Sequence, residues 1–309
     1  MHEAHIMLTT SCNIKCDYCF YHQWQEINIR EMMSLETFQQ VIDKMTILNC
    51  KSIAFTGGEP LLHRELLTFA KLAQQAGMNL SITTNGRLLT PELIKKLMDA
   101  GLSAFHLSID SLQSEIHSQL RRGSDVNHIL AMAKEIQKYG HLDVSFSTVV
   151  TAANFMDISH LLLYAAHHKI NVVLQPVIYN PDNKQAMQLA DYPVNSPEWG
   201  KFKKCVALWA RSMHVESYGE QFIEYLENHN FSASLCTHNA SMLVVKPNGD
   251  LSPCFFLNSE TAFANIRTIE PSEILLQYNT IFRERISQGK CLTQDCISML
   301  YPRNPVFQG

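Results

Sequence analysis

Over the first 180 residues, six apolar, β-branched runs alternate with helical patterns, and this alternation narrows the possible folds more than any other feature of the chain. The runs are His5–Thr10, Lys51–Thr56, Asn79–Thr84, Ala104–Ile109, Asp143–Val150 and Asn171–Val177. Ser34 is placed to cap a helix whose apolar stripe is Leu35, Phe38, Val41, Ile42, Met45 and Leu48, spaced at three or four residues. Glu65–Gln75 reads as the next helix and stops at Gly77. Pro91–Ala100 opens with a first-turn proline and stops at Gly101. Asp125 caps Val126–Tyr139, and a fifth helix runs from about Phe155 to Lys169. Alternating strands and helices pair in parallel through right-handed crossovers, so the expected class is α/β, as a barrel or a doubly wound sheet. Either architecture collects its chemistry at the C-terminal ends of the strands.

After Tyr179 the pattern changes. Residues 180–197 are polar and carry three prolines, and helical stretches follow at Glu198–Met213 and Gln221–Asn228. Met242–Lys246 and Leu251–Phe256 flank Pro247-Asn248-Gly249-Asp250, a strong hairpin signal. A helix near Ser272–Ser287 and a cysteine-bearing tail close the chain. The expected division is a core at 1–180, a connecting region at 181–230 and a small module at 231–309. With 25 basic and 29 acidic residues the net charge is −4, which suggests neither a nucleic-acid nor an anionic-membrane partner. No apolar run reaches the ~18–20 residues of a membrane span. The N-terminus lacks the basic-then-apolar order of a signal peptide, so a cytoplasmic location is expected.

Nine cysteines are many for such a chain, and clustered cysteines in a reducing compartment point to metal or catalysis instead of disulfides. Cys12, Cys16 and Cys19 follow the first strand in C-x3-C-x2-C spacing. Three thiolates on one loop hold three irons of a cubane whose full ligation needs four, so one iron stays open to a small molecule. Gly57-Gly58-Glu59-Pro60 follows the second strand. Paired glycines let backbone approach a ligand, and a neighbouring carboxylate suits an ammonium group.

Together these motifs resemble the radical S-adenosylmethionine (radical SAM) superfamily over residues 5 to about 180. The resemblance implies a partial (β/α)6 TIM-type barrel with a [4Fe–4S] cluster on Cys12, Cys16 and Cys19 and SAM on the open iron. It further implies that Gly57, Gly58 and Glu59 hold the SAM amino group, that Pro60 fixes the turn, and that Tyr18 lies against the adenine. Thr84 and Asn85 would line the pocket, Ser108 and Asp110 would meet the ribose and methionine portion, and Arg121 or Arg122 would pair with the carboxylate. The reaction implied is reductive cleavage of SAM to a 5′-deoxyadenosyl radical that takes a hydrogen atom from substrate.

Cys236 and Cys254 bracket the hairpin, and Cys291 and Cys296 follow in the tail. Four thiolates suit one fully ligated cluster or a zinc site. Attached to a radical SAM core they resemble the SPASM and Twitch extensions, and four cysteines suffice for one auxiliary [4Fe–4S] cluster in a small α+β module. This likeness implies a two-electron oxidation, as in a small-molecule dehydrogenase, with an electron donor such as flavodoxin or ferredoxin. A peptide maturase is the alternative, although with the cysteine motif starting at residue 12 no leader-recognition module is expected before it. A non-catalytic iron–sulfur or zinc protein is the distant third reading. Cys50 and Cys205 read as core residues.

Overall fold

The structure is a computed structural model; it describes residues 3–19, 30–177, 184–229, 242–254 and 262–287, the last segment with side chains to residue 281. Cys236, Cys291, Cys296 and residues 178–183 of the connecting loop lie outside the described residues.

Six strands, β1 (Glu3–Met7), β3 (Ser52–Thr56), β4 (Asn79–Thr84), β5 (Leu102–Ser108), β7 (Asp143–Val150) and β8 (Asn171–Pro176), are all parallel and lie side by side in chain order. A doubly wound sheet reverses its order at a switch point. This one does not, so it curls in the manner of a barrel. Short β2 (Lys15–Cys16) and β6 (Arg121–Arg122) form a separate antiparallel pair. The helices are α1 (Leu35–Ile47), α2 (Leu66–Gln75), α3 (Pro91–Asp99), α4 (Ser114–Leu120), α5 (Val126–Gln137) and α6 (Ile158–His167). They are followed by α7 (Lys184–Leu189), α8 (Pro197–Ser212), α9 (Glu216–Asn228) and α10 (Pro271–Ser287).

Local chemistry sets the helix starts. Ser34 accepts the Thr37 amide, Thr90 that of Leu93, Asp125 that of Asn127 and Ser196 that of Trp199, each such cap contributing about 1 kcal/mol. The apolar stripe of α1 buries Phe38, Val41, Ile42 and Met45 against the outer face of the sheet. Phe38 stacks on Phe69 of α2 at 4.2 Å and tilts against Phe55 of β3 at 6.0 Å.

The two faces of the sheet differ sharply. Register puts Ile6, Phe55, Ile82, Phe105, Phe146 and Val172 on the helix-packed face, all buried. The opposite face, toward the lumen, carries His5, Ser52, Thr56, Ser81, Thr83, His106, Ser108, Ser145, Ser147 and Gln175, with Ala54, Ala104, Val149 and Val173 among them. A closed barrel fills its interior with branched apolar side chains; this lumen is largely hydroxylated and half open. The opening has a structural cause at β8. The Val172 carbonyl accepts the Trp209 indole N–H at 3.1 Å, and the Leu174 carbonyl accepts the Tyr218 hydroxyl at 2.7 Å. Aromatic side chains of α8 and α9 thus occupy alternate edge carbonyls that a further strand would use.

At the other side, β9 (Met242–Val245) pairs in parallel with β1, and β10 (Asp250–Ser252) and β11 (Ala264–Asn265) continue antiparallel. The hairpin expected around Asn248-Gly249 is present, and it extends the core sheet directly.

Candidate active site

The cysteine loop and Gly57–Pro60 meet at the C-terminal ends of β1 and β3. Gly58 N–H donates to the Thr9 carbonyl at 2.7 Å, and Glu59 N–H to the Ser11 carbonyl at 2.8 Å. Contact is so close that a Cβ on Gly57 would run into the Thr9 carbonyl, and one on Gly58 into the Ser11 carbonyl. Gly57 also has φ +135°, open to glycine but strained for other residues. Both glycines are therefore needed to seat the segment that leads into Cys12.

Glu59 is buried, and both of its carboxylate oxygens accept hydrogen bonds. Oε1 accepts from Thr84 Oγ1 at 2.6 Å and Leu61 N–H at 3.0 Å, while Oε2 accepts Asn85 N–H at 2.9 Å. Burial raises its pKa, against the pull of those donors. Its visible task is to lock the end of β4 to the end of β3. Pro60 opens the short 3-10 turn Pro60–Leu62 that Glu59 caps.

Cys16 sits on β2 opposite Arg121 of β6, so the two-residue ladder brings the second thiol to the fourth strand end. Burial pushes the Cys16 thiol up to about 12 and raises that of Cys12 as well. Asn85 Nδ2 lies 3.7 Å from Cys12 Sγ, and Arg121 Nη1 lies 3.9 Å from Cys16 Sγ. Among the described residues no three His, Cys, Asp or Glu side chains gather as a single metal ion would require. A cubane imposes no such convergence, because each thiolate binds a different iron.

Asp110, wholly buried, receives Arg121 through Nε at 2.8 Å and Nη2 at 3.1 Å, a bidentate pair. Tyr18 hydroxyl also donates to Asp110, and Val149 N–H reaches its Oδ1 at 2.9 Å. The guanidinium stands 5.5 Å from the centre of the Tyr18 ring. Burial raises the Tyr18 phenol well above its ordinary value. Arg122 points outward to Asp17 and is half exposed, so only Arg121 of the two faces the thiols. Thr84, Asn85, Ser108 and Asp110 are all buried at these strand ends.

Two groups of residues escaped the sequence reading. His117 on α4 is fully buried, its Nδ1 at 3.4 Å from the Asp110 amide and Nε2 at 2.9 Å from Ser124 Oγ, bracing the Asp110 loop. His106 lies on the lumen face two residues before Ser108, with Nδ1 at 2.6 Å from Ser145 Oγ and no partner for Nε2 among the described residues. Burial, and then the facing His5, lower His106 to about 4. Only a strand register, invisible in one sequence, could have brought His106 forward.

Among the C-terminal cysteines only Cys254 is described; it is buried two residues beyond β10. Since β10 runs antiparallel to β9, and β9 parallel to β1, Cys254 lies toward the end of the sheet where β1 begins. Cys50 is buried, as expected of a core residue, and Cys205 is partly buried.

Three thiols on one loop, a cradle that admits only glycine and a buried Asn13 amide nitrogen without an acceptor fit an iron–sulfur cluster with SAM beside it. Comparison with known proteins agrees. A GTP 3′,8-cyclase of Pseudomonas putida (strain W619) is 30% identical over 168 residues, 53% of this chain and 50% of that protein. The chain thus spans about half the length of that relative. A GTP 3′,8-cyclase of Nautilia profundicola is 28% identical over 87% of each chain. Among solved structures, anSMEcpe with bound AdoMet and Cp18Cys peptide superposes with TM-score 0.68 at 20% identity, covering 96% of this chain and 87% of that one. SuiB of Streptococcus suis bound to precursor peptide SuiA gives 0.68 at 18% identity, covering 96% and 70%. No helix among the described residues is long and apolar enough to cross a membrane. Residues 6–165, more than half of the chain, match the radical SAM superfamily, and the chain belongs to it.

Proposed function

We propose that this radical SAM enzyme is an oxidoreductase that takes a hydrogen atom from a polar substrate held in the barrel lumen and completes a net two-electron oxidation. A single observation carries this reading: the hydroxylated lumen lies between the cysteine loop at one end of the sheet and Cys254 toward the other. When bound, SAM and a reduced [4Fe–4S] cluster supply a 5′-deoxyadenosyl radical, and the protein's part is position and shielding.

In this reading Cys12, Cys16 and Cys19 hold the cluster. Gly57 and Gly58 let backbone approach the SAM amino group. Glu59 positions Thr84 and Asn85, and Oε2, which accepts only the Asn85 amide, keeps acceptor capacity for the SAM amino group. Tyr18, Ser108, Asp110 and Arg121 form the far wall; Arg122, turned outward, is not assigned a contact. His106 presents Nε2 to a hydroxyl or amide of the substrate. Cys254 joins Cys236, Cys291 and Cys296 in one Twitch-like auxiliary [4Fe–4S] site within the 231–309 module, linked through 181–230 to the 1–180 core. A cytoplasmic location and a flavodoxin- or ferredoxin-type donor accompany the reading.

A peptide substrate is the second reading, favoured by the peptide-bound anSMEcpe and SuiB structures, whose fold this chain shares. The GTP 3′,8-cyclase relatives keep a nucleotide substrate in view.

Iron and acid-labile sulfide in anaerobically reconstituted protein test the proposal, beside a variant with Cys12, Cys16 and Cys19 changed to Ala. About eight irons falling to about four supports two cubanes. About four falling to none removes the auxiliary site and with it the oxidation.

A further inference from the structure

We infer that Asn13 and Asn85 form an amide relay that donates N–H hydrogen bonds to sulfur of the cluster at Cys12 and raises its reduction potential. The inference rests on the cluster assignment above and adds to it a role that neither cysteine spacing nor the glycine motif contains.

Hydrogen-bond polarity fixes the direction of the relay. Arg87 N–H is only a donor and meets Asn85 Oδ1 at 3.0 Å, so the Asn85 side chain must turn its Nδ2 the other way. Asn85 N–H is itself held by Glu59, so the backbone there is anchored. Asn85 Nδ2 then faces Cys12 Sγ at 3.7 Å and Asn13 Oδ1 at 2.8 Å. With its oxygen so committed, Asn13 must present Nδ2 on its remaining side. That nitrogen is buried without an acceptor. Arg87 Nη1 on the Asn13 carbonyl, at 2.7 Å, pins the residue from behind.

A buried amide donor without an acceptor is costly, and in a native chain it calls for an explanation. Asn13 adjoins Cys12 in the chain and shares the Asn85 amide with it, so cluster sulfur is the acceptor within the relay's reach. Uptake of one electron adds negative charge to the iron–sulfur core. Hydrogen bonds to sulfur stabilise that reduced form more than the oxidised one and so raise the potential. At Cys16 the charged Arg121 Nη1, at 3.9 Å, acts in the same direction.

The test is a potentiometric titration, followed by electron paramagnetic resonance, of reconstituted enzyme without SAM. It reads the signal that disappears when Cys12, Cys16 and Cys19 are changed to Ala. If no signal depends on those cysteines, the cluster assignment itself fails. Given such a signal, Asn13→Ala should lower its midpoint, and an unchanged midpoint at wild-type iron content overturns the relay. Should Asn13→Ala take up no iron, wild-type enzyme labelled with 15N at asparagine Nδ2 decides the matter by pulsed resonance. Nitrogen coupling to the reduced cluster before SAM is added supports the relay. Coupling that is absent, or that appears only with SAM, overturns it, the latter making the SAM carboxylate the acceptor.

Discussion

Arg121 and Arg122 are neighbours of identical chemistry, yet removing their charges should have very different costs. Arg121→Met leaves the wholly buried Asp110 without its bidentate partner. Stripping one member from a buried ion pair costs about 3–5 kcal/mol. Asp110 keeps the Tyr18 hydroxyl and the Val149 amide, which puts the loss near the lower figure. Arg122→Met breaks only a half-exposed pair with Asp17, typically about 0–1 kcal/mol. At about 2 °C per kcal/mol for a chain of this size, Arg121→Met should lower Tm by roughly 6–8 °C and Arg122→Met by less than about 2 °C. Anaerobic calorimetry of reconstituted protein measures both. Adding Asp110→Asn to Arg121→Met should recover part of the loss, because the uncompensated charge goes with it. Equal shifts for the two arginine variants would refute the reasoning, and so would a double variant less stable than Arg121→Met alone.

Gly58→Ala drives a methyl into the Ser11 carbonyl and separates the two backbone hydrogen bonds at Thr9 and Ser11; a loss of about 2–4 kcal/mol and poor iron uptake should follow, read by melting and iron analysis. Burial holds His117 near a pKa of 4, against 6.5 unfolded, so the unfolded chain takes up the proton first as pH falls. Stability from this residue is complete above 6.5 and declines toward pH 4 by about 3 kcal/mol; His117→Gln should flatten that slope in urea titrations at pH 5 and 7.5, and an unaltered slope argues against it. Cys254→Ala should still form 5′-deoxyadenosine from SAM but give no oxidised product, and full turnover would exclude the electron-acceptor role of its site.

Much of the barrel was written locally. Ser34 and Asp125 serve as the caps their positions suggested, and Gly77 and Gly101 follow their helices with φ of +75° and +101°. The six core strands fall within two or three residues of the apolar runs, because each packs one face against helices whatever its neighbours are. Helix α4 went unseen since it is short and its N-cap Gln113 makes no capping bond. The β2–β6 ladder is two residues long and joins segments about 105 apart, so no local signal marks it. That ladder is what separates Arg121 from Arg122, and hence their roles could not be told apart from LRRGS alone. The polar lumen was equally hidden: serines and threonines within strands look unremarkable until register aligns them.

The pairing of β1 with β9 also bears on how the chain is made. Glu3 lies opposite Met242, and sequence separations of this size place the contact among the slowest to form. Ribosomes add about 5–20 residues per second. One edge of β1 therefore lacks its partner for roughly 10–40 s of synthesis after β3, the partner of its other edge, has been made. During that interval the nascent chain presents an open strand edge beside its cysteine loop, a natural place for a chaperone or cluster-delivery factor to act before β9 seals it.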